Sequence, residues 1–303
     1  MASRVWKHLS SAKDVFIHVQ TDDLFRIVTE EERLKLQQTL LEMYCDVAEV
    51  CKKYEIIPFL LGGSALGAVR HQGFIPWDDD LDLGMLRNDY EIFKRVFKQE
   101  LSDRYVLNAP NYSRNAKARF PKIIKKGTRF REIVDVRDDK LNGVFLDIFI
   151  IENCPEEKWI RQIKGLYCDL LEFISGQVFL CENITPEAVE FYQRSGKGMF
   201  YLRKIIGKLF SFKKSMEWFH LVDKAARYRK HTNILAIPTG RKHYFGEIFP
   251  KSVVLPPVYK EFCGIQVPVF CDYDYYLKNL YGEYMQIPKE EDREKHYIVE
   301  LEV

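Results

Sequence analysis

No long hydrophobic run occurs in this sequence of 303 residues. A helix that crosses a membrane needs about 20 consecutive, mostly apolar residues, so no such helix is expected. The first residues, Met1 to Lys13, contain three basic side chains but lack the apolar core of a secretory signal peptide. We therefore expect a cytoplasmic protein.

The sequence also lacks an excess of one charge and closely paired cysteines. Basic residues number 46 and acidic residues 44, a balance that argues against bulk binding of nucleic acid. The seven cysteines form no CxxC pair, which argues against a structural zinc site and is typical of reduced thiols in the cytoplasm. With 47% hydrophobic residues, the chain can bury the core of one elaborated catalytic domain or of two domains.

The first half of the chain carries signals for both helices and strands. Thr29 to Glu32 forms a capping box, and the apolar residues after it recur at steps of three and four, which predicts a long helix with one buried face. Ile56 to Leu61 predicts a short buried strand that ends at Gly62–Ser64, where a helix starts. Residues 80–85 alternate as in a strand, and residues 144–151 give the strongest strand signal.

The middle of the chain differs, because residues 155–231 have a helical pattern. Apolar residues stand there at helical spacing: Trp159, Ile163, Leu166, Leu170 and Ile174. The sequence thus predicts an α+β fold, with a mixed-sheet core, flanking helices and a mostly helical insertion. We expect a catalytic core over 1–154, the insertion over 155–231, and a segment over 232–303 that completes the core and the substrate pocket.

Three carboxylates are the candidate chemistry-bearing residues. Residues two apart in a strand share a face, so Asp80 and Asp82 would point the same way. Side-by-side carboxylates repel unless a cation lies between them, and such oxygen ligands select Mg²⁺ or Mn²⁺. Asp147 supplies a third carboxylate from an apolar strand, where an unpaired charge is costly. We expect these three to hold two metal ions, although Asp147 could instead accept backbone hydrogen bonds.

A glycine pair precedes the acidic segment. Gly62, Gly63 and Ser64 would let backbone amides approach an anion closely at the positive end of a new helix. A Gly-Gly-Ser turn alone is weak evidence, and so is an isolated Asp-x-Asp pair. The two together, at the ends of consecutive strands, are considerably more specific for a phosphate-transfer site.

The segments Gly62–His71 and Phe74–Gly84 resemble the signature of the LicD family, which is related to the fukutin-related proteins and belongs to the nucleotidyltransferase superfamily. The likeness covers roughly residues 40 to 297 and continues at later motifs: Pro121–Ile123, Lys126–Thr128, Val144–Phe149 and Tyr281–Met285. Ser64, Ala65 and Glu283 depart from the family pattern, but none of them is a metal carboxylate.

The resemblance implies a nucleotidyltransferase-like core and the transfer of a phospho-alcohol, usually phosphocholine, from a CDP-activated donor such as CDP-choline to a sugar hydroxyl of a cell-surface glycan precursor. Mg²⁺ on the three carboxylates would neutralise the diphosphate, and Asp147 would orient or deprotonate the acceptor hydroxyl. Transfer of phosphoglycerol or phosphoribitol, nucleotidyl transfer, and a catalytically silent adaptor at a membrane surface stay open. An aromatic cage would favour choline, and hydrogen-bonding side chains a polyol.

Five further residues are weaker candidates for substrate binding. Arg70 and Lys122 could contact phosphate, together with Thr128 in the same basic turn as Lys122. The ordinary alternatives are a surface ion pair for Arg70 and a solvated hairpin for the other two. Trp77 and Tyr284 could attract choline through cation–π contacts, although most aromatic residues serve as core or surface in a chain that contains 14% of them.

Residues 197–214 combine six basic residues with no acidic residue, interleaved with apolar side chains. A basic amphipathic helix of this kind can lie on an anionic membrane surface, which would suit an enzyme with a lipid-linked glycan acceptor. The alternative, given equal weight, is a helix that packs its apolar face on the catalytic core. Peripheral contact with the inner face of a membrane is therefore a hypothesis at this point.

Overall fold

The computed structural model of the chain describes residues 26–132, 134–135, 139–186, 188–189, 199–293 and 297–303. The segment Met1–Lys13 and Lys197, which entered the predictions above, lie outside the described residues. The described α-helices are α1 (Glu30–Lys53), α2 (Gly62–Arg70), α3 (Arg87–Glu100), α4 (Lys158–Asn183), α5 (Met199–Leu209), α6 (Ser215–Ala226), α7 (His243–Gly246), α8 (Lys251–Val254) and α9 (Tyr273–Tyr281).

The described strands are β1 (Arg26–Ile27), β2 (Phe59–Leu60), β3 (Asp82–Leu86), β4 (Tyr105–Asn108), β5 (Lys122–Lys125), β6 (Arg129–Glu132), β7 (Phe145–Asn153), β8 (Ile234–Ala236), β9 (Ile248–Pro250), β10 (Val258–Phe262), β11 (Ile265–Val269) and β12 (Tyr297–Glu302). The central sheet has the order β2-β3-β7-β5-β4, and β8 joins β7 to β9. Strands β3 and β7 run parallel, while β5 is antiparallel to β7. A mixed sheet flanked by helices confirms the predicted α+β fold.

Helix α1 forms where the sequence predicts it. The capping box is present, because the Glu32 amide donates to the Thr29 hydroxyl and the Thr29 amide donates to the Glu32 carboxylate. The predicted apolar face is buried, with Leu36, Leu40 and Met43 almost without exposed surface. That face belongs to the main core, together with residues of the central sheet.

The loop before β3 is longer than the sequence predicts. The predicted strand 80–85 begins only at Asp82, so Asp80 lies in the preceding loop and the shared-strand argument does not apply to it. The Asp78 amide donates to the Ile75 carbonyl, and the Gln37 side chain donates to the Asp78 carbonyl at 2.7 Å. These bonds satisfy the loop backbone within a turn and against α1, so the loop does not need to join the sheet.

The helices α4, α5 and α6 lie between β7 and β8 in the chain. Because β7 and β8 pair with each other, the chain leaves the sheet and returns to it at neighbouring strands. Arg87 of α3 fastens this helical stretch to the core, since its guanidinium binds both Glu152 of β7 and Asp223 of α6. The boundaries at 154 and 231 stay a prediction.

Candidate active site

The sheet brings three of the predicted site residues into one row. Asp82 of β3 pairs with Asp147 of β7, and Lys122 of β5 pairs with the same Asp147. Residues paired across neighbouring strands project to one face of a sheet. The Lys122 ammonium nitrogen lies 2.6 Å from Asp147 Oδ1, so the side chains meet as the register requires.

The glycine pair at the start of α2 makes room for carboxylates. A Cβ added to Gly62, whose φ is +52°, would lie 3.0 Å from Asp82 Oδ2, and one added to Gly63 would lie 2.8 Å from Asp78 Oδ2. Any side chain at these positions would displace a carboxylate or strain the backbone. The positive end of the helix dipole also stabilises negative charge here. Gly62 and Gly63 therefore shape an acidic site.

Two hydrogen bonds hold this helix start against the sheet and against α9. The Gly62 amide donates to the buried Tyr276 hydroxyl at 3.0 Å, and the Asp82 amide donates to Ser64 Oγ at 2.9 Å. The first bond fixes the start of α2 against α9, and the second fixes the Asp82 backbone against α2. A role of Gly62, Gly63 and Ser64 in binding substrate anions stays a prediction.

Burial sets the protonation behaviour of Asp147. It raises the pKa of this carboxyl above its ordinary value, while the Lys122 ammonium acts in the opposite direction. The Asp80 carboxylate adds to the rise in the pKa of Asp147. Asp80 is thus close enough to influence Asp147 electrostatically, although it lies outside β3.

The acidic residues suit a hard cation by their chemistry. Within the part of the chain that the structure describes, no three His, Cys, Asp or Glu side chains are arranged to hold a metal ion as they stand. The donor set of Asp80, Asp82 and Asp147 is nevertheless all carboxylate, as Mg²⁺ and Mn²⁺ prefer. Asp147 already takes a cationic partner in Lys122. Metal binding by these residues stays a prediction.

Arg70 and Thr128 are engaged elsewhere. The Arg70 guanidinium donates to the carbonyls of Tyr284 at 2.6 Å and Gln286 at 3.2 Å, which ties the C-terminal segment to α2. Thr128 Oγ1 donates to the Lys125 carbonyl and accepts from the Val144 amide, which ties the β5–β6 turn to the start of β7. In this arrangement both side chains have fold-stabilising partners.

Trp77 and Tyr284 do not form an open aromatic cage. The guanidinium of Arg293 lies over the Trp77 ring, 4.2 Å from its centroid. Tyr284 is only 7% exposed, and its hydroxyl donates to Asp274 at 2.9 Å. Each ring thus already has a partner within the protein.

A different set of aromatic side chains flanks Asp147. Phe145 and Phe149 stand two residues before and after it in β7, so all three share a face. The Lys122 ammonium lies 3.4 Å from the Phe145 ring centroid and 5.2 Å from that of Phe120. The Phe120 and Phe149 centroids are 4.8 Å apart. These rings were not among the residues predicted from the sequence, although the two-residue alternation around Asp147 would have located Phe145 and Phe149.

The loop between β8 and α7 approaches the same helix start. The Arg241 guanidinium lies 5.2 Å from the Tyr281 ring centroid, and the Tyr281 hydroxyl would be 3.7 Å from a Cβ at Gly62. Glu247 supports this loop by accepting a hydrogen bond from the Lys242 amide at 2.8 Å. Burial raises the pKa of Glu247 to about 7. Arg241 is a basic residue near the site that was not predicted from the sequence.

Comparison with known proteins shows which family the chain is similar to. The strands and loops that build the carboxylate row lie within residues 55–169, which match the family model described as "LicD/FKTN/FKRP, nucleotidyltransferase domain". The chain is 32% identical over 265 residues to the lipopolysaccharide cholinephosphotransferase LicD of Haemophilus influenzae, which covers 83% of this chain and 90% of that protein. The chain therefore belongs to the LicD family, as its resemblance predicted.

Two shorter similarities involve uncharacterised proteins. A protein of Rickettsia typhi is 39% identical over 72 residues, or 24% of this chain and 22% of its own length. A protein of Rickettsia prowazekii is 39% identical over 61 residues, or 20% of this chain and 23% of its own. These matches extend the sequence relationship without adding a function.

Proposed function

We propose that this chain transfers phosphocholine from CDP-choline to a sugar hydroxyl of a cell-surface glycan precursor. The proposal is supported by family membership and by the cholinephosphotransferase among its relatives. The observation that carries it is the Lys122 ammonium, which lies between aromatic rings and beside Asp147. The faces of these rings thus already hold a cation beside Asp147, and the quaternary ammonium of phosphocholine is a cation of the kind that aromatic ring faces attract.

The aromatic rings favour choline over a polyol. A quaternary ammonium has no hydrogen-bond donor and binds to the faces of aromatic rings. Phe149 lies about 7 Å along β7 from Asp147, within reach of a short alcohol on a phosphate held at Asp147. Phe120 packs against it. Glycerol or ribitol would need hydroxyl, amide or carboxylate partners, which these two rings do not offer.

The carboxylates and Lys122 have different proposed roles toward the diphosphate: the carboxylates bind metal, and Lys122 contributes positive charge. Asp80, Asp82 and Asp147 would hold Mg²⁺ or Mn²⁺, which when bound supplies positive charge to the diphosphate and to the leaving CMP. Lys122, in line with Asp147 on the neighbouring strand, supplies a further positive charge on the same face. Arg241 is the second basic residue close to the start of α2.

Asp147 is the proposed base. The acceptor hydroxyl oxygen attacks the phosphorus that carries choline, while the bond from that phosphorus to the bridging oxygen breaks and CMP leaves with the bonding electrons. The hydroxyl proton passes to the Asp147 carboxylate. Asp147 is the carboxylate of the row that both Asp82 and Lys122 pair with, so it lies where the diphosphate and the acceptor hydroxyl would meet. A lipid-linked glycan as acceptor would place the reaction at the cytoplasmic face of a membrane.

Calorimetric titration of the purified protein tests the donor. CDP-choline, CDP-glycerol, CDP-ribitol and CMP are each added with Mg²⁺ and with EDTA. We expect CDP-choline to bind more tightly than the other three, and only with Mg²⁺. Preference for CDP-glycerol or CDP-ribitol would replace the proposed alcohol. Equal affinity for CMP and all three donors, or binding of none, would contradict CDP-alcohol dependence.

A further inference from the structure

Helix α4 presents a row of large apolar side chains to solvent. Trp159 is 67% exposed, and Ile163 and Leu166 are each 62% exposed. Their spacing of four and three residues puts them on one side of the helix. The sequence pattern is that of a buried helix face, but the first half of this face is uncovered.

Helix α5 shows the same feature. Ile205 is 64% exposed and Leu209 71%, and Phe212 just beyond the helix is also 71% exposed. The opposite side of α5 already packs inward, since Phe200 is buried and a Cβ on Gly207 would lie 2.3 Å from a carbonyl of α4. Phe212 contacts the rings of Phe210 and Trp218, but packing among the described residues leaves most of the surface of Ile205, Leu209 and Phe212 exposed.

The two rows form one surface. Cys181 of α4 donates to the Lys204 carbonyl at 3.3 Å, and Gln177, one turn earlier in α4, faces Gly207, one turn later in α5. The helices thus run antiparallel, so the chain beyond Leu209 continues in the direction of the first half of α4, where Leu170 is exposed as well. We call the surface of Trp159, Ile163, Leu166, Ile205, Leu209 and Phe212 the outer face.

Charge identifies the partner of the outer face. Residues 199–214 contain five basic residues and no acidic residue; Arg203 is buried, and Lys208 and Lys214 are exposed beside the apolar row. A second copy of this chain, packed symmetrically, would place these positive charges against each other. An anionic lipid surface complements both the apolar side chains and the lysines. No helix among the described residues is long and apolar enough to span a membrane.

We propose that the outer face docks the protein peripherally on an anionic membrane, with α4 and α5 lying along the lipid–water interface. Trp159 and Phe212 insert as aromatic residues do at that depth, and Lys208, Lys213 and Lys214 contact lipid phosphates. Half of this surface belongs to α4, outside the basic segment 197–214. The inference concerns a surface of the chain and does not depend on which alcohol the active site transfers.

Vesicle flotation tests the proposal with the full-length protein. Vesicles contain either phosphatidylcholine alone or an equal mixture with phosphatidylglycerol. We expect the wild-type protein to bind the anionic vesicles at least about tenfold more strongly. Ile163→Asp with Leu166→Asp, and separately Ile205→Asp with Leu209→Asp, should each reduce that binding about tenfold or more. Lys208→Glu with Lys214→Glu should reduce the preference for anionic vesicles.

The matched control is Leu34→Asp, which changes an apolar residue of α1 that is 61% exposed and should leave vesicle binding unchanged. Circular dichroism confirms that each variant is folded, which is expected because the substituted side chains point into solvent. The proposal is overturned if the wild-type protein does not bind anionic vesicles, or if the α4 variant Ile163→Asp with Leu166→Asp binds them as strongly as wild type. It is also overturned if sedimentation shows that the apolar variants only dissociate a dimer.

Discussion

At the residue scale, the charge environment and the pKa of the Asp147 carboxyl are set by the residues around it. Lys122 and Asp82 are in register with it on either side, and burial raises the pKa of its carboxyl. The sequence shows an acidic residue in an apolar strand, which is enough to predict a partner. It does not show that the partner is Lys122, because strand order and register decide this.

Replacing Asp147 tests its proposed role as the base. Asp147→Asn keeps the size of the side chain but removes the proton acceptor, so turnover should fall roughly a thousandfold. Steady-state assays of CMP release measure this, and a thermal melt checks the fold. Asp103→Asn, at an exposed position outside the acidic loop, should stay within about twofold of wild type, as ordinary surface changes do. Near-normal turnover of Asp147→Asn would remove this residue from the mechanism.

The aromatic contact to choline is testable at Phe149. Phe149→Leu keeps an apolar side chain but removes the ring face, so the affinity for CDP-choline should drop roughly tenfold, while the affinity for CDP should change little. Phe149→Tyr retains the ring and should bind nearly as wild type does. Calorimetry with CDP-choline and with CDP separates the affinity due to the choline headgroup from the affinity due to the nucleoside diphosphate. Equal losses for both ligands would show that Phe149 shapes the site without contacting the headgroup.

At the element scale, signals carried by adjacent residues were read correctly. The capping box and apolar steps located α1, and the apolar run around Asp147 located β7. Features set by distant segments could not be read in this way. Arg70 binds carbonyls of the C-terminal segment, more than 200 residues away, and Asp80 was expected inside β3. The apolar residues of α4 recur at the same helical spacing whether they face the core or solvent, so the sequence did not show that Trp159, Ile163 and Leu166 are exposed.

The loop that carries Arg241 should show a pH-dependent stability through Glu247. Because burial raises the pKa of Glu247 from 4.5 to about 7, the folded state holds this proton more tightly than the unfolded state. Its contribution is therefore favourable below pH 4.5 and is lost as the pH rises toward 7. The loss amounts to about 3 kcal/mol in the free energy of unfolding.

Glu247→Gln should remove this loss and make the protein more stable than wild type at pH 8, by up to about 3 kcal/mol. Urea unfolding at pH 5 and pH 8 measures the free energy of unfolding of the variant and of wild type. Glu261→Gln, at an exposed position of β10, serves as the control and should keep the wild-type dependence. If Glu247→Gln loses stability between pH 5 and pH 8 as wild type does, another group is responsible.

At the scale of the whole molecule, a buried ion cluster joins the helical stretch to the core. The Arg87 guanidinium donates to Glu152 at 2.7 Å and to Asp223 at 2.7 Å. Glu152 is almost completely buried, so its charge depends on Arg87. The cluster therefore couples α6 to the sheet that carries the candidate active site.

Arg87→Met should destabilise the protein by about 4 kcal/mol, since it leaves the Glu152 carboxylate buried without a partner. The double variant Arg87→Met, Glu152→Met removes both charges and should recover much of that loss. Urea unfolding of the two variants beside wild type gives the comparison. A single variant within about 1 kcal/mol of wild type would show that solvent or another group neutralises Glu152.

The parallel pairing of β3 with β7 also determines at which stage of folding the candidate site can form. Asp82 and Asp147 come from distant parts of the sequence, and parallel strands separated in this way pair slowly, because a large loop must close first. On the ribosome, the acidic loop and the glycine turn emerge well before the strand that completes them. A chain that stops short of β7 would therefore present Asp82 and the acidic loop to solvent without Asp147 beside them.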